Sequence, residues 1–158
     1  MVRDEYSLII RKAKLEDLEE IVNFNVQMAN ETEGKKLDEN IVREGVKSVL
    51  NNISLGFYLV AEENYSGKKL SGQLLVIFEW SDWKNKNVWW IQNVYVDKKF
   101  RNRKIFSHLF RNVAEMAASG KNVAGLRLYV EKNNDSAKMI YESFGLKKTP
   151  YEMYEISL

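Results

Sequence analysis

Residues 97–110, DKKFRNRKIFSHLF, set five cations directly before an apolar helical pattern: Lys98, Lys99, Arg101, Arg103 and Lys104. A helix start already carries partial positive charge, so cations crowded there are mildly unfavourable unless an anion sits among them. The stretch therefore reads as an anion site. Consecutive amides from about Asn102 to Ser107 would donate without side-chain entropy, and Arg101, Arg103 and Lys104 would neutralise charge. The bland alternative is a solvated basic loop, which is what an isolated charge run usually is.

The rest of the composition narrows the chemistry. The chain has 158 residues, 45% of them hydrophobic and 29% charged, with a formal net charge of +2. That length and balance fit one domain with its own core, spanning 1–158. The low net charge makes the basic stretch a local feature and speaks against a nucleic-acid binder. With no cysteine and His108 as the sole histidine, disulfides, thiol nucleophiles, His-rich metal sites and a Ser-His-Asp triad fall away. The reading requires no metal. The opening MVRDEYSLII has no long apolar run, so neither a signal peptide nor a membrane span is read, and the expected location is cytoplasmic, with no membrane partner.

Around the basic stretch, the hydrophobic period sets out the elements that would hold it. YSLIIRKA (6–13) reads as a strand, Leu15 to about Ala29 as a helix, and NETEGKK (30–36) as a polar break. Asp38 is placed to cap a second helix. GFYLVAEE (56–63), LSGQLLVIFEW (70–80) and VWWIQNVYV (88–96) read as three successive strands. After the basic stretch come a helix to about Ala118, a strand GLRLYV (125–130), a helix over 134–144 with Gly145 at its end, and a last strand YEMYEI (151–156). The order is that of a mixed α/β (α+β) sheet with helices packed on it. The segment 88–130 should be a parallel crossover, with the basic stretch at the carboxyl end of a strand, where such sheets bind ligands.

Two blocks carry a family resemblance. VYVDKKFRNRKIFSHLF resembles the acyl-CoA pyrophosphate loop of the GNAT superfamily of N-acetyltransferases, of the form Arg/Gln-x-x-Gly-x-Gly/Ala, here Arg101 to Phe106. Asn134-x-x-Ala137-x-x-x-Tyr141, followed by FGL, resembles the family's later helix. Lys104 and Phe106 stand where the motif has glycine or alanine, positions where glycine allows close approach to phosphate. With ordinary helical dihedrals at Lys104 little would be lost, and Phe106 would join the apolar stripe of its helix. The resemblance implies a central sheet of six to seven strands flanked by about four helices. It also implies acetyl-CoA as co-substrate. Its pyrophosphate would lie on Arg101, Asn102, Arg103, Lys104, Ile105, Phe106 and Ser107, its pantetheine along Val94, Tyr95 and Val96, and Asn134 would reach it while capping a helix.

On the same resemblance, a backbone N–H near Val94 stabilises the oxyanion formed when an amine attacks the thioester, and Tyr141 protonates the departing thiolate. A plain packing role for Tyr141 is the alternative. The general base is not marked: VWWIQNVYV and GLRLYV contain no acid, which leaves Glu79 first, then Asp82, Glu31 and Glu33, or water alone. Trp89 and Trp90 should face opposite sides of their strand; core and sheet cover is the favoured reading of these rings, and one facing a substrate cleft is the alternative. The expected function is acetyl transfer to a primary amine, on a small molecule or a peptide, by direct attack. A catalytically weak or inactive acyl-CoA-binding regulatory module is the alternative. A homodimer is compatible with the resemblance, the final strand offering an edge.

Overall fold

The computed structural model describes residues 7–64 and 67–158. Tyr6, at the start of the first expected strand, and Tyr65 and Ser66, in an expected turn, lie outside them. The strands are β1 (Leu8–Lys12), β2 (Gly56–Asn64), β3 (Lys68–Ser81), β4 (Lys86–Val96) and β5 (Val123–Leu128). The helices are α1 (Leu18–Glu33), α2 (Glu39–Asn51), α3 (Ile105–Ser119) and α4 (Asp135–Ser143). One mixed sheet runs β1-β2-β3-β4-β5, antiparallel through β4, with β5 added in parallel.

Local chemistry explains most boundaries. The Asp38 side chain accepts from the amides of Asn40 and Ile41 at 2.9 and 3.3 Å, which starts α2. A 3-10 turn, Leu15–Asp17, precedes α1. Asp17 there accepts from both Nη atoms of Arg11, whose Nε donates to Glu62 at 2.8 Å, so one arginine ties β1, the turn and β2 together. Contrary to the expected break at residue 30, α1 continues to Glu33 and stops at Gly34, whose φ of +62° ends a helix without a Cβ penalty. The polar residues 30–33 lie on the solvent side of a helix that its apolar face already holds.

The core lies on both faces of the sheet. Ile21, Val22 and Phe24 of α1 and Val46 of α2 pack with Tyr58, Val60, Leu75 and Tyr95. Helix α3 buries Ile105, Leu109, Phe110 and Val113. It lies on the other side, where a Cβ at Gly72 would come within 3.1 Å of Ile105.

Two expectations are corrected. Among the described residues the sheet has five strands, not six to seven. Residues 151–156, expected as a last strand, form no ladder, because a strand exists only through a partner's hydrogen bonds. The fifth strand also comes earlier than expected, at 123–128. Its ladder with β4 begins at Asn87↔Val123 and ends at Ile91↔Leu128. The chain divides into two compact units, one ending at Leu128 and one comprising Tyr129–Leu158. The second contains α4, whose first turn is capped by Asn134 accepting from the Ala137 amide at 3.1 Å. Gly145 follows α4 with a φ of +89°.

Candidate active site

The basic stretch leads into the start of α3 through a backbone with two left-handed residues. Asp97 accepts from the Lys99 amide and closes a 3-10 turn over Lys98–Phe100. Asn102 and Lys104 follow with φ of +66° and +59°. Lys104 is the N-cap residue of α3 and gives it no side-chain cap. The condition under which little would be lost, ordinary helical dihedrals at Lys104, is therefore not met. The residue holds a left-handed conformation that glycine takes freely and a lysine adopts only against its Cβ. The loop thus keeps glycine-type backbone geometry without the glycine. The opening amides of α3, whose first internal acceptor is the Lys104 carbonyl to His108, point out of the helix start. Phe106 lies within α3, half-buried, its ring 6.0 Å from that of Phe110.

Two cations of the loop, Lys98 and Arg101, already have an internal anion. Glu31, near the end of α1, accepts from Arg101 Nη2 at 2.7 Å and from the Tyr95 hydroxyl at 2.8 Å, and pairs with Lys98 at 3.3 Å. Arg101 also donates from Nε to the Val96 carbonyl at 3.0 Å and lies over the Tyr95 ring. Arg101 holds the Glu31 carboxyl below the ordinary range, and Tyr95 and Lys98 add to this against the opposing effect of burial. A carboxyl so held is a poor proton acceptor at neutral pH. Burial, then Glu31, pushes the Tyr95 phenol up to about 12. Arg103, Asn102 and Lys104 are exposed, with Arg103 over the Phe100 ring.

Beside the loop, β4 outruns its partner. The ladder to β5 stops at Ile91, while β4 continues to Val96. Val94, Tyr95 and Val96 therefore lie where the two strands part. On the β3 side, Gln73 pairs with Tyr95 and Leu75 with Gln92, so Asn93 and Val94 together oppose Leu74. This is a β-bulge with Asn93 at a φ of +49°.

The acids fall in different places. Glu79 accepts from the Trp90 indole at 2.9 Å and from Arg127 at 2.9 Å, so both of its oxygens are engaged. Asp82 accepts from the Trp83 amide in the β3–β4 turn, and Glu33 pairs with Lys35. Trp89 packs its ring against Phe57 and Phe78, while Trp90 lies under Arg127. In the second unit, burial raises the Tyr141 phenol above its ordinary value.

Comparison with known proteins decides the family. The sequence model of the acetyltransferase (GNAT) family matches residues 10–146. The chain belongs to the GNAT acetyltransferase family. This GNAT chain is 42% identical to a possible acetyltransferase from Clostridium difficile 630, covering 96% of this chain and 97% of that one, with a TM-score of 0.88. Its fold is shared with a predicted acetyltransferase with acetyl-CoA from Clostridium acetobutylicum, at 20% identity, 96% coverage of each chain and a TM-score of 0.75. It is 33% identical over 79 residues to the bovine (Bos taurus) thialysine N-epsilon-acetyltransferase. That match spans half of this GNAT chain and 45% of the bovine protein.

Sequence reading missed three residues beside the site: Asn25, Tyr58 and Gln73. The available signal was polar side chains inside apolar runs, GQLLV in β3 and FNV in α1, since a buried amide is kept only with partners.

Proposed function

We propose that the protein is an acetyl-CoA-dependent N-acetyltransferase acting on a primary amine of a small molecule or peptide, located in the cytoplasm. The observation that carries this is the left-handed Lys104 at the start of α3. It gives a basic loop the backbone a phosphate needs, at the point where β4 and β5 part. Arg101, Asn102, Arg103 and the amides from Lys104 to Ser107 would hold the pyrophosphate, with Val94, Tyr95 and Val96 along the pantetheine and Asn134 as a further contact. Acetyl-CoA, when bound, supplies a thioester whose carbonyl carbon an amine can attack. The Val94 N–H would donate to the oxygen that gains charge. Tyr141, whose phenol burial holds above its ordinary value, would give its proton to the leaving thiolate, and water would take the proton that the attacking amine loses. Among the described residues no group of three or more acids or histidines could hold a metal ion. No helix there is long and apolar enough to cross a membrane.

One observation favours a second reading, an acyl-CoA-binding module with little turnover. Glu79, the first candidate base, has Trp90 and Arg127 on its two oxygens. Calorimetric titration of acetyl-CoA, with Arg101→Ala alongside, tests the cofactor assignment. Micromolar binding that weakens in the variant supports it, and no binding at millimolar acetyl-CoA ends it. Thiol release with a panel of amines then separates enzyme from module.

A further inference from the structure

A buried polar network converges on the β4 bulge from three other elements. Gln73 of β3 is wholly buried. Its Nε2 donates to Asn25 Oδ1 of α1 at 2.7 Å and to the Asn93 carbonyl at 3.3 Å. Asn25 Nδ2 donates to the Tyr58 hydroxyl of β2 at 3.2 Å. Asn93 is thus held at its carbonyl by a side chain that Asn25 and, through it, Tyr58 keep in place. It is also the residue in the strained left-handed conformation.

As a stabilising device the network is poor. Gln73 Oε1 is buried with no hydrogen-bond partner among the described residues. A buried amide left half satisfied costs stability, and an apolar side chain of similar size would remove that cost. What the network does achieve is geometric. A bulge whose first residue is left-handed re-aims the residue after it. Here the residue after it is Val94, and without a grip on Asn93 the extended conformation would be favoured.

We propose that Gln73, supported by Asn25 and Tyr58, is a positioning residue that holds Asn93 left-handed and so aims the Val94 N–H at the reacting oxygen. This inference rests on the acetyltransferase reading above. It assigns a catalytic consequence to a side chain that touches neither substrate.

The test compares Gln73→Leu, Tyr58→Phe, and Gln73→Leu combined with Asn93→Gly, using acetyl-CoA and the amine of the panel that wild type turns over best. Gln73→Leu should lower kcat at least tenfold, with acetyl-CoA affinity by calorimetry unchanged within twofold. Tyr58→Phe, which removes one hydroxyl from a buried ring and serves if Gln73→Leu does not fold, should lower kcat at least threefold. Glycine takes positive φ without strain, so adding Asn93→Gly to Gln73→Leu should recover most of the loss. A purely structural role for Gln73 predicts no such recovery. Wild-type turnover that neither Gln73→Leu nor Tyr58→Phe reduces, or a loss that Asn93→Gly does not restore, overturns this inference alone. No turnover by wild type with any amine overturns the acetyltransferase reading and the positioning role with it.

Discussion

Arg101 donates to Glu31 at 2.7 Å across 70 residues of sequence, so the arginine expected to meet a pyrophosphate already meets a carboxylate. The same carboxylate pairs with Lys98 and accepts from Tyr95. Two of the five cations before the helix are thus offset by one carboxylate. The pairing also makes Glu31 a competitor for any anion that binds there.

Removing that competitor should strengthen binding. Glu31→Gln is expected to tighten acetyl-CoA binding about fivefold at low salt, corresponding to the ~1 kcal/mol of a good partly exposed pair. The gain should shrink as salt is raised, because screening weakens the pair. Calorimetry at two ionic strengths measures both effects. Looser binding in Glu31→Gln would mean that Glu31 orients Arg101 for the cofactor and does not compete with it.

Lys104 should be improvable as a structural residue. Left-handed backbone costs an L-residue about 1–2 kcal/mol, and glycine returns part of that through its larger unfolded-state entropy. Lys104→Gly should therefore stabilise the protein by about 0.5–1 kcal/mol, raising Tm by about 1–4 °C. Lys104→Val should lower Tm, since branching at Cβ worsens the conflict. Thermal melts of the two variants measure both effects, and a Tm for Lys104→Gly below wild type would overturn this account of the loop.

Tyr141→Phe should lower kcat about 100-fold and leave acetyl-CoA affinity unchanged, if the phenol is the acid of the reaction. The pH dependence has a definite sign. Burial raises the phenol's pKa, so its neutral, proton-bearing form persists to higher pH than an ordinary tyrosine's. Loss of activity through this group should begin only above about pH 10. A pH–rate profile identical in wild type and Tyr141→Phe would remove it from the chemistry.

The Arg11 cluster should dominate acid stability. Burial alone would raise the Asp17 carboxyl, but its bonds from Arg11 and the Lys14 amide outweigh that and hold it low. A depressed folded value means this stabilisation is present above the unfolded value of about 3.9 and is lost as pH falls through the folded one. Asp17→Asn should cost roughly 2–3 kcal/mol at pH 7. That is less than for a fully buried pair, because Arg11 keeps 21% of its side-chain surface exposed. Urea midpoints between pH 7 and pH 2 should show the wild-type advantage disappearing below about pH 4.

What the sequence determined by itself is what short-range rules control. The apolar period placed α2, α3 and α4 and the three long strands. Asp38 and Asn134 announced helix starts because a cap is made within three residues of itself. The cations from Lys98 to Lys104 marked the loop. The terminal segment YEMYEI shows the limit of such rules, since its residue types are local while a strand's hydrogen bonds are not. Only the tertiary structure decided that Glu31 belongs to Arg101 and that Gln73 reaches Asn25 across 48 residues. It alone decided that Lys104 and Asn93 hold positive φ, and that Glu79 is taken by Trp90 and Arg127. Each of these depends on where a second element lies, and no window of neighbouring residues contains that information.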